Sequence, residues 1–171
     1  NKNYNYKKIF SLKKKKIIIL GGSGNLGKNF SKSLVSAGAK IILGDIRDYD
    51  SVLKAMKGCS AVMHLAALIG IPYSYVSPLA YVKTNIEGTY NILEAAKNLK
   101  LRNIIITSTS EIYGTPKKLP INETFPVNCQ SPYAASKAAA DQLALSYFRS
   151  FNLPIKLIRP FNTYGPRQSN R

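Results

Sequence analysis

The sequence predicts an α/β fold with a doubly wound parallel sheet, and three observations lead to this prediction. Short apolar runs alternate with helical stretches along the chain, an order that requires parallel strands joined by crossover helices. A glycine cluster, "GGSGNLG", follows the first apolar run and opens a helical stretch. The chain has 171 residues, 45% of them hydrophobic, which is enough for one domain with a core.

The predicted elements alternate regularly between strand and helix. Strands are short and rich in β-branched residues, and they are predicted at 16–20, 39–45, 60–67, 102–110 and 154–160. Helices have apolar residues at helical spacing and are predicted at 26–38, 49–57, 78–99 and 133–151. The Pro-rich stretch 115–132 is the longest irregular segment, and loops of this length are often functional.

The net charge is strongly positive, at +17 from 25 Lys and Arg against 8 Asp and Glu. Much of it lies at the start of the chain. We interpret residues 1–15 as a solvated basic lead-in and 16–171 as the folded domain. An excess of this size is also found in proteins that bind nucleic acid or acidic membranes, and it favours polyanionic small ligands.

Several classes of protein are disfavoured by the sequence. No apolar run approaches the roughly 18 residues that a membrane helix needs, and the apolar run after Lys16 is too short for a signal peptide. Cys59 and Cys129 have no metal-ligand spacing, and His64 is the only histidine. We therefore predict a cytoplasmic protein with reduced thiols, no metal site and no membrane partner.

The glycine cluster predicts a dinucleotide site. Gly21, Gly24 and Gly27 lie between a predicted strand and a predicted helix, where glycines let the backbone approach a pyrophosphate at the helix N-terminus. The alternative is a simple helix cap. Asp45 ends the next predicted strand, eighteen positions after Gly27. An acid there binds a ribose and repels a 2′-phosphate, which favours NAD over NADP, although it could also be a solvated strand-end acid. Together these features predict a Rossmann fold.

A second group of residues predicts proton transfer. Tyr133 and Lys137 are four positions apart in "SPYAASKAAAD", so they share one helix face. A neighbouring ammonium and an oxidised nicotinamide would lower the tyrosine pKa, so that Tyr133 could act as a base. Thr109 and Glu111 follow the strand residues 103–107. Thr109 can donate to the same substrate oxygen, and Glu111 is a further acid or base.

With these motifs, the chain resembles the extended short-chain dehydrogenases/reductases of the NAD-dependent epimerase/dehydratase family, which act on nucleotide sugars. The matching segments are "GGSGNLG", "GDIRD", "HLAA", "NIEGTYNILEAA", "STSEIYG", "SPYAASK" and "RPFNTYGPRQ". The resemblance implies that Thr109, Glu111, Tyr133 and Lys137 are catalytic. It implies that NAD is bound by Gly21, Gly24, Asn25, Leu26, Gly27, Asp45, Ile46, Leu65, Ala66, Ala67, Asn85, Ser108, Tyr133, Lys137 and Pro160. It implies substrate contacts from Ser110, Asn162 and Arg167.

The resemblance also indicates a reaction. A 4,6-dehydratase oxidises C4 of the sugar, removes the C5 proton, eliminates water from C6 and returns the hydride at C6. Glu111 suits the C5 step, whereas simple 4-epimerases lack this carboxylate. Some dehydratases carry Asp where this chain has Ser110, and the UDP-glucuronate decarboxylases also carry Thr-Ser-Glu. The segments "ALIGIPYSYVSP" and "RPFNTYGPRQS" most resemble UDP-N-acetylglucosamine 4,6-dehydratases of legionaminic-acid-type pathways.

The chain departs from the family pattern in two places. Relatives continue into a smaller C-terminal substrate domain, which the resemblance implies is missing here, and they have one more strand before "GDIRD". Asp45 therefore has two possible roles, as the ribose acid or as a neighbour of the adenine. The resemblance implies a homodimer in the full-length form. The alternatives are a 4-epimerase, a UDP-glucuronate decarboxylase-like enzyme, and a non-catalytic Rossmann module that binds dinucleotide or RNA.

Overall fold

The computed structural model describes residues 32–37, 42, 44–162 and 164. Within these residues, three parallel strands form a sheet in the order β1–β2–β3. The strands are β1 (Ala61–His64), β2 (Asn103–Thr107) and β3 (Ile155–Ile158). Each connection between neighbouring strands runs through helices, so the strands point the same way and their carboxyl ends share one edge of the sheet.

The register fixes which residues meet at that edge. His64 pairs with Ile106, and Thr107 pairs with Ile158. The residues that directly follow the three strands therefore lie side by side. In a parallel α/β sheet this edge is where ligands bind.

Among the described residues, seven helical elements accompany the sheet. They are α1 (Tyr49–Met56), α2 (Ile71–Val76), α3 (Pro78–Tyr81), a π-helix (Val82–Glu87), α4 (Gly88–Asn98), a 3₁₀-helix (Ser110–Tyr113) and α5 (Pro132–Phe151). A further short stretch, 32–36, is helical.

The predicted elements agree with this order from residue 49 onward. The observed strands are shorter than predicted. The strand predicted at 16–20 lies outside the described residues. Of the strand predicted at 39–45, residues 42, 44 and 45 are described, and none of them is in a strand.

Helix α5 begins and ends on recognisable signals. The Ser131 hydroxyl accepts a hydrogen bond from the Ala134 amide at 3.0 Å, and Pro132 occupies the first turn, so the N-terminus is capped. Asn152 ends the helix in the left-handed conformation, with φ of 53°, which asparagine tolerates better than most residues. These caps fix the position of the 20-residue helix that carries Tyr133 and Lys137.

The core lies between the sheet and helices α1, α4 and α5. Ile104 and Ile106 of β2 face Ile92 and Leu93 of α4, and Ala144 of α5 joins the same cluster. All five side chains are almost completely buried. The small Ala144 lets α5 approach the sheet closely, which brings the first half of that helix over the carboxyl edge.

The helix predicted at 78–99 is interrupted by a π-helical turn at Val82–Glu87. Hydrophobic periodicity cannot detect one extra residue in a turn, so the sequence predicted a continuous helix. Turns of this type are frequent at functional sites. This one carries Asn85, whose side chain is buried.

Gly88 provides a test of how α4 packs. A β-carbon at Gly88 would lie 2.5 Å from Ile46 Cδ1 and 2.7 Å from its Cγ1, and Ile46 is only 5% exposed. We expect Gly88→Ala to destabilise the protein by about 1–2 kcal/mol, because overpacking costs about 1–3 kcal/mol and the gain in helix propensity is at most about 1 kcal/mol. Denaturant unfolding would measure the change.

The matched background is Ile46→Ala, which removes both clashing carbons. There, Gly88→Ala should be neutral or stabilising. Equal destabilisation in the two backgrounds would show that the contact between Gly88 and Ile46 is not the cause.

Candidate active site

The candidate site is built from the residues that follow the three strands. Backbone bonds extend the pairing of β2 and β3 past their ends, since the Ser108 amide donates to Ile158 O at 2.7 Å and the Ser110 amide donates to Pro160 O at 3.2 Å. These two bonds hold the segment Ser108–Ser110 against the start of the chain after β3. Thr109, between them, is thereby fixed at the edge of the sheet.

Lys137 is buried against this edge. Its side chain is 4% exposed, and its Nζ donates to Thr107 O, the last carbonyl of β2, at 2.6 Å. Burial lowers the pKa of Lys137, while the negative charge of Asp141 acts in the opposite direction. The ammonium is thus held in place by a short bond to a neutral group.

Tyr133 lies one turn before Lys137 and is half-buried. Its ring meets Tyr81 edge to face, with centroids 6.2 Å apart and planes at 74°, a favourable aromatic geometry. Tyr81 is itself anchored, because its hydroxyl hydrogen bonds to the carbonyls of Ile69 and Gly70. The ring of Tyr133 is therefore oriented by a rigid neighbour.

The pKa of Tyr133 is set by its burial and by two neighbouring residues. Burial raises the pKa of Tyr133, a hydrogen bond with Thr109 lowers it, and the charge of Glu111 raises it again, so that the pKa lies above its ordinary value. The chain by itself holds Tyr133 as a neutral phenol.

Thr109 connects the tyrosine to the carboxylate. It is the N-cap of the 3₁₀-helix, where its hydroxyl oxygen accepts from the Glu111 amide at 3.3 Å. The Thr109 hydroxyl also acts on Tyr133 and lowers its pKa. Glu111 follows in the first turn and is exposed. The structure therefore brings Thr109, Glu111, Tyr133 and Lys137 together, as the sequence predicted.

Asn85 lies behind the site. Its Nδ2 donates to Leu68 O at 3.0 Å and to Ser136 Oγ at 2.9 Å, and its Oδ1 accepts from the Leu68 amide at 2.8 Å. Both N–H groups are therefore used within the protein. Asn85, which the resemblance placed at the cofactor, fastens the loop after β1 to helix α5.

Asp45 and Ile46 have distinct environments. Asp45 is exposed, and its Oδ2 lies 2.6 Å from Arg47 Nη2. Hydrogen bonds from Arg47 lower the pKa of Asp45. The Ile46 side chain is buried in the core, and its carbonyl accepts from Asn91 Nδ2 at 2.9 Å. Only the backbone of Ile46 is left to border a ligand, and both roles of Asp45 stay predictions.

The remaining predicted residues are distributed along the edge. Leu65 and Asn162 are exposed, and Ala66, Ala67, Ser110 and Pro160 are half-buried. Ser108 Oγ is buried and has no hydrogen-bond partner within the described residues, which fits a side chain whose partner is a bound cofactor. The predicted positions that lie outside the described residues are Gly21, Gly24, Asn25, Leu26, Gly27 and Arg167.

Two residues that sequence reasoning missed complete the surroundings. Asp141 is buried one turn after Lys137, and Arg159 Nε donates to its Oδ2 at 2.9 Å. Arg159 Nη1 also donates to the Tyr113 hydroxyl at 2.9 Å. The spacing of Asp141, four residues after Lys137 in an Ala-rich helix, was the available signal.

No group of three His, Cys, Asp or Glu side chains among the described residues is arranged to hold a metal ion. Over those same ranges, no helix combines the length and the apolar character needed to cross a membrane.

The comparison with known families uses most of the chain. Residues 32–171 match the family model for GDP-mannose 4,6 dehydratase. The chain belongs to this family. The match includes every part of the site described above, from Asp45 to Arg159.

Individual relatives of this GDP-mannose 4,6-dehydratase-like chain catalyse different reactions. It is 34% identical over 194 residues to dTDP-D-glucose 4,6-dehydratase of Dictyostelium discoideum, a match covering 90% of the chain and 45% of the relative. It is 30% identical over 179 residues to UDP-glucose 4-epimerase of Streptomyces lividans, covering 91% and 54%. The chain thus spans about half of the length of these relatives. Membership of the family is shown, and the choice between these reactions is not.

A solved structure confirms the predicted fold class. The structure of dTDP-glucose 4,6-dehydratase from Streptomyces venezuelae, with NAD bound, superimposes with a TM-score of 0.80 at 26% identity, covering 90% of this chain and 57% of that one. The cofactor of that neighbour is the one predicted from the sequence.

Removing the Asn85 amide tests its role in the site. Asn85→Leu should loosen the loop after β1, because the Leu68 amide loses its acceptor. We expect hydrogen exchange at the Leu68 amide to accelerate about tenfold or more, measured by exchange NMR or mass spectrometry. Ser136→Ala is the matched control, since it removes one contact of Asn85 and leaves the Leu68 bonds. Unchanged exchange at Leu68 in Asn85→Leu would show that the loop is held by other contacts.

Proposed function

We propose that the protein containing this chain is an NAD-dependent nucleotide-sugar 4,6-dehydratase. The observation that carries the proposal is the grouping of Thr109, Glu111, Tyr133 and Lys137 at the carboxyl edge of the sheet. Thr109, Tyr133 and Lys137, together with NAD, suffice to oxidise and reduce an alcohol. Glu111 is the additional group, and it lies close enough to Tyr133 for its charge to raise the tyrosine pKa.

Tyr133 is the base that takes the proton from the C4 hydroxyl, and Thr109 hydrogen bonds to the same oxygen. Because the chain alone keeps Tyr133 neutral, the proposal requires a positive charge beside the phenol. NAD supplies that charge when it is bound in its oxidised form, and it accepts and returns the hydride. Lys137 lies one turn after Tyr133 on α5 and contributes a second positive charge.

Glu111 acts on the oxidised sugar. A ketone at C4 acidifies the proton at C5, and the exposed carboxylate of Glu111 is free to accept it. The C5–C6 double bond forms as the C6 hydroxyl leaves, and the proton held by Glu111 leaves with it as water. When the hydride returns at C6, C5 takes a proton from solvent and Tyr133 releases its proton to solvent, which restores the starting state. Ser110, where some dehydratases carry Asp, cannot serve as an acid of comparable strength, so Glu111 performs both transfers.

The neighbours of the site support the choice of NAD. Ser108 Oγ is buried and has no hydrogen-bond partner among the residues that the structure describes, and the half-buried Ala66 and Ala67 follow β1. These residues, with Lys137 and the predicted glycine cluster, would hold the cofactor. Ser110, Asn162 and Arg167 stay predictions for substrate contacts, as do the legionaminic-type sugar, the homodimer and the cytoplasmic location.

A 4-epimerase is the second candidate. It is favoured by the similarity to UDP-glucose 4-epimerase at 30% identity, and its cycle uses Thr109, Tyr133 and Lys137 without a carboxylate. The two candidates differ only in whether Glu111 reacts.

Glu111→Gln separates them. The amide cannot accept the C5 proton, so we expect oxidation at C4 to continue while water elimination falls by at least about a hundredfold. With dTDP-glucose or UDP-N-acetylglucosamine, the protein should accumulate reduced cofactor, seen by absorbance, together with the 4-keto sugar, identified by mass spectrometry.

Tyr133→Phe is the matched control, because the ring still packs against Tyr81 while the base is lost. It should bind NAD and accumulate neither product. Full turnover by Glu111→Gln without trapped reduced cofactor would contradict the dehydratase proposal and support the epimerase.

A further inference from the structure

Asp141 is a buried acid that the proposed reaction does not use. It lies on α5, is 1% exposed, and forms an ion pair with Arg159 through Oδ2 at 2.9 Å. Its other oxygen, Oδ1, is buried without a hydrogen-bond partner in the part of the chain that the structure describes. An ionised carboxylate in the interior, with one oxygen that makes no hydrogen bond, destabilises the fold unless a nearby positive charge offsets its charge.

The group that this negative charge stabilises is the buried ammonium of Lys137. Residues four apart on a helix are neighbours on one face, so Asp141 lies on the same face of α5 as Lys137, and its negative charge acts on the buried ammonium. The hydrogen bond of Lys137 goes to Thr107 O, a neutral carbonyl, which cannot balance a charge. Tyr133, Lys137 and Asp141 therefore form a row along one face of α5 that leads from the reacting edge into the core.

The other groups around Lys137 do not supply a negative charge. His64, at the end of β1, is neutral, because burial and the charge of Lys137 lower its pKa to about 3. Thr89 of α4 donates its proton to Asn85 O at 2.6 Å, so His64 Nε2 must donate to Thr89 Oγ1 at 3.0 Å. His64 Nδ1 is then unprotonated, and the low pKa of the ring keeps His64 neutral at neutral pH.

Two further charged groups lie on other elements. Glu111, on the 3₁₀-helix, is exposed and acts on Tyr133. Arg159, after β3, approaches Asp141 from the side and also donates to the Tyr113 hydroxyl of the 3₁₀-helix at 2.9 Å. Arg159 thus fixes the position of Asp141 and at the same time offsets part of its charge.

We propose that Asp141 is a positioning residue whose carboxylate is the counter-charge that keeps the buried Lys137 ammonium protonated, with Arg159 setting how much of that charge Lys137 experiences. The effect reaches Tyr133 through Lys137, because a neutral lysine no longer favours the phenolate. That last step rests on the proposed function; the effect on Lys137 does not.

The proposal predicts opposite effects for two substitutions that break the same ion pair. Asp141→Asn removes the negative charge, and the pKa of Lys137 should fall by about one to three units. Arg159→Gln leaves Asp141 with its charge uncompensated, and the pKa of Lys137 should stay the same or rise. Loss of packing alone would change the pKa of Lys137 in the same direction in both variants.

The measurement is an NMR titration of Lys137, using lysine labelled with ¹³C at Cε and assigned with Lys137→Arg. Circular dichroism and thermal unfolding check that each variant is folded. If Asp141→Asn fails to fold, the double variant Asp141→Asn/Arg159→Gln replaces the pair by two neutral amides of similar size, and the same fall is expected. An equal fall in Asp141→Asn and Arg159→Gln, or no fall in the folded Asp141→Asn protein or its double variant, would overturn the proposal.

The pH dependence of turnover separates this proposal from the proposed function. With Lys137 neutral, the pKa of Tyr133 rises, so the acid limb of the pH–rate profile should move to higher pH in Asp141→Asn but not in Arg159→Gln. If Lys137 responds as expected in the titration while the protein shows no nucleotide-sugar chemistry at any pH, the proposed function fails and the pairing of Asp141 with Lys137 stands.

Discussion

The bond between the Lys137 ammonium and Thr107 O is the constraint on which the rest of the site depends. It joins the first half of α5 to the last carbonyl of β2 at 2.6 Å, and it does so with a charged group that is 4% exposed. Burying an ammonium is costly, so the surrounding structure must supply compensation. The capped start of α5, the small Ala144 against the sheet and the carboxylate of Asp141 all contribute to keeping that lysine where it is.

The reacting groups then follow from the geometry of the sheet. Parallel pairing of β2 with β3 continues past the strand ends, which fixes Thr109, and the 3₁₀-helix that Thr109 caps presents Glu111 to solvent beside Tyr133. Arg159 links α5 to the 3₁₀-helix, because it donates hydrogen bonds to both Asp141 on α5 and Tyr113 at the end of the 3₁₀-helix. Tyr133, Glu111 and Lys137 are thus held by a single set of contacts.

Sequence reasoning reached the groups that carry local signals. Helix α5 was predicted to within one residue from its long Ala-rich helical stretch. Tyr133 and Lys137 were proposed from their spacing along it, and Thr109 and Glu111 from their position after the strand at 103–107. It missed the π-helical turn at Asn85, since one added residue does not disturb an apolar pattern. It also missed the pairing of Asp141 with Arg159 and the hydrogen bond from Lys137 to Thr107 O, because both join residues from different elements.

The central claim is that Tyr133 and Glu111 act in sequence on one sugar, and the fate of the hydrogen at C4 tests it most directly. dTDP-glucose and UDP-N-acetylglucosamine carrying deuterium at C4 would be incubated with the protein and NAD, and the products would be examined by NMR. A 4,6-dehydratase returns the deuterium to C6 and leaves a ketone at C4, which is the result expected here. Deuterium retained at C4 of an inverted sugar, with C5 unexchanged, would contradict the account and identify an epimerase.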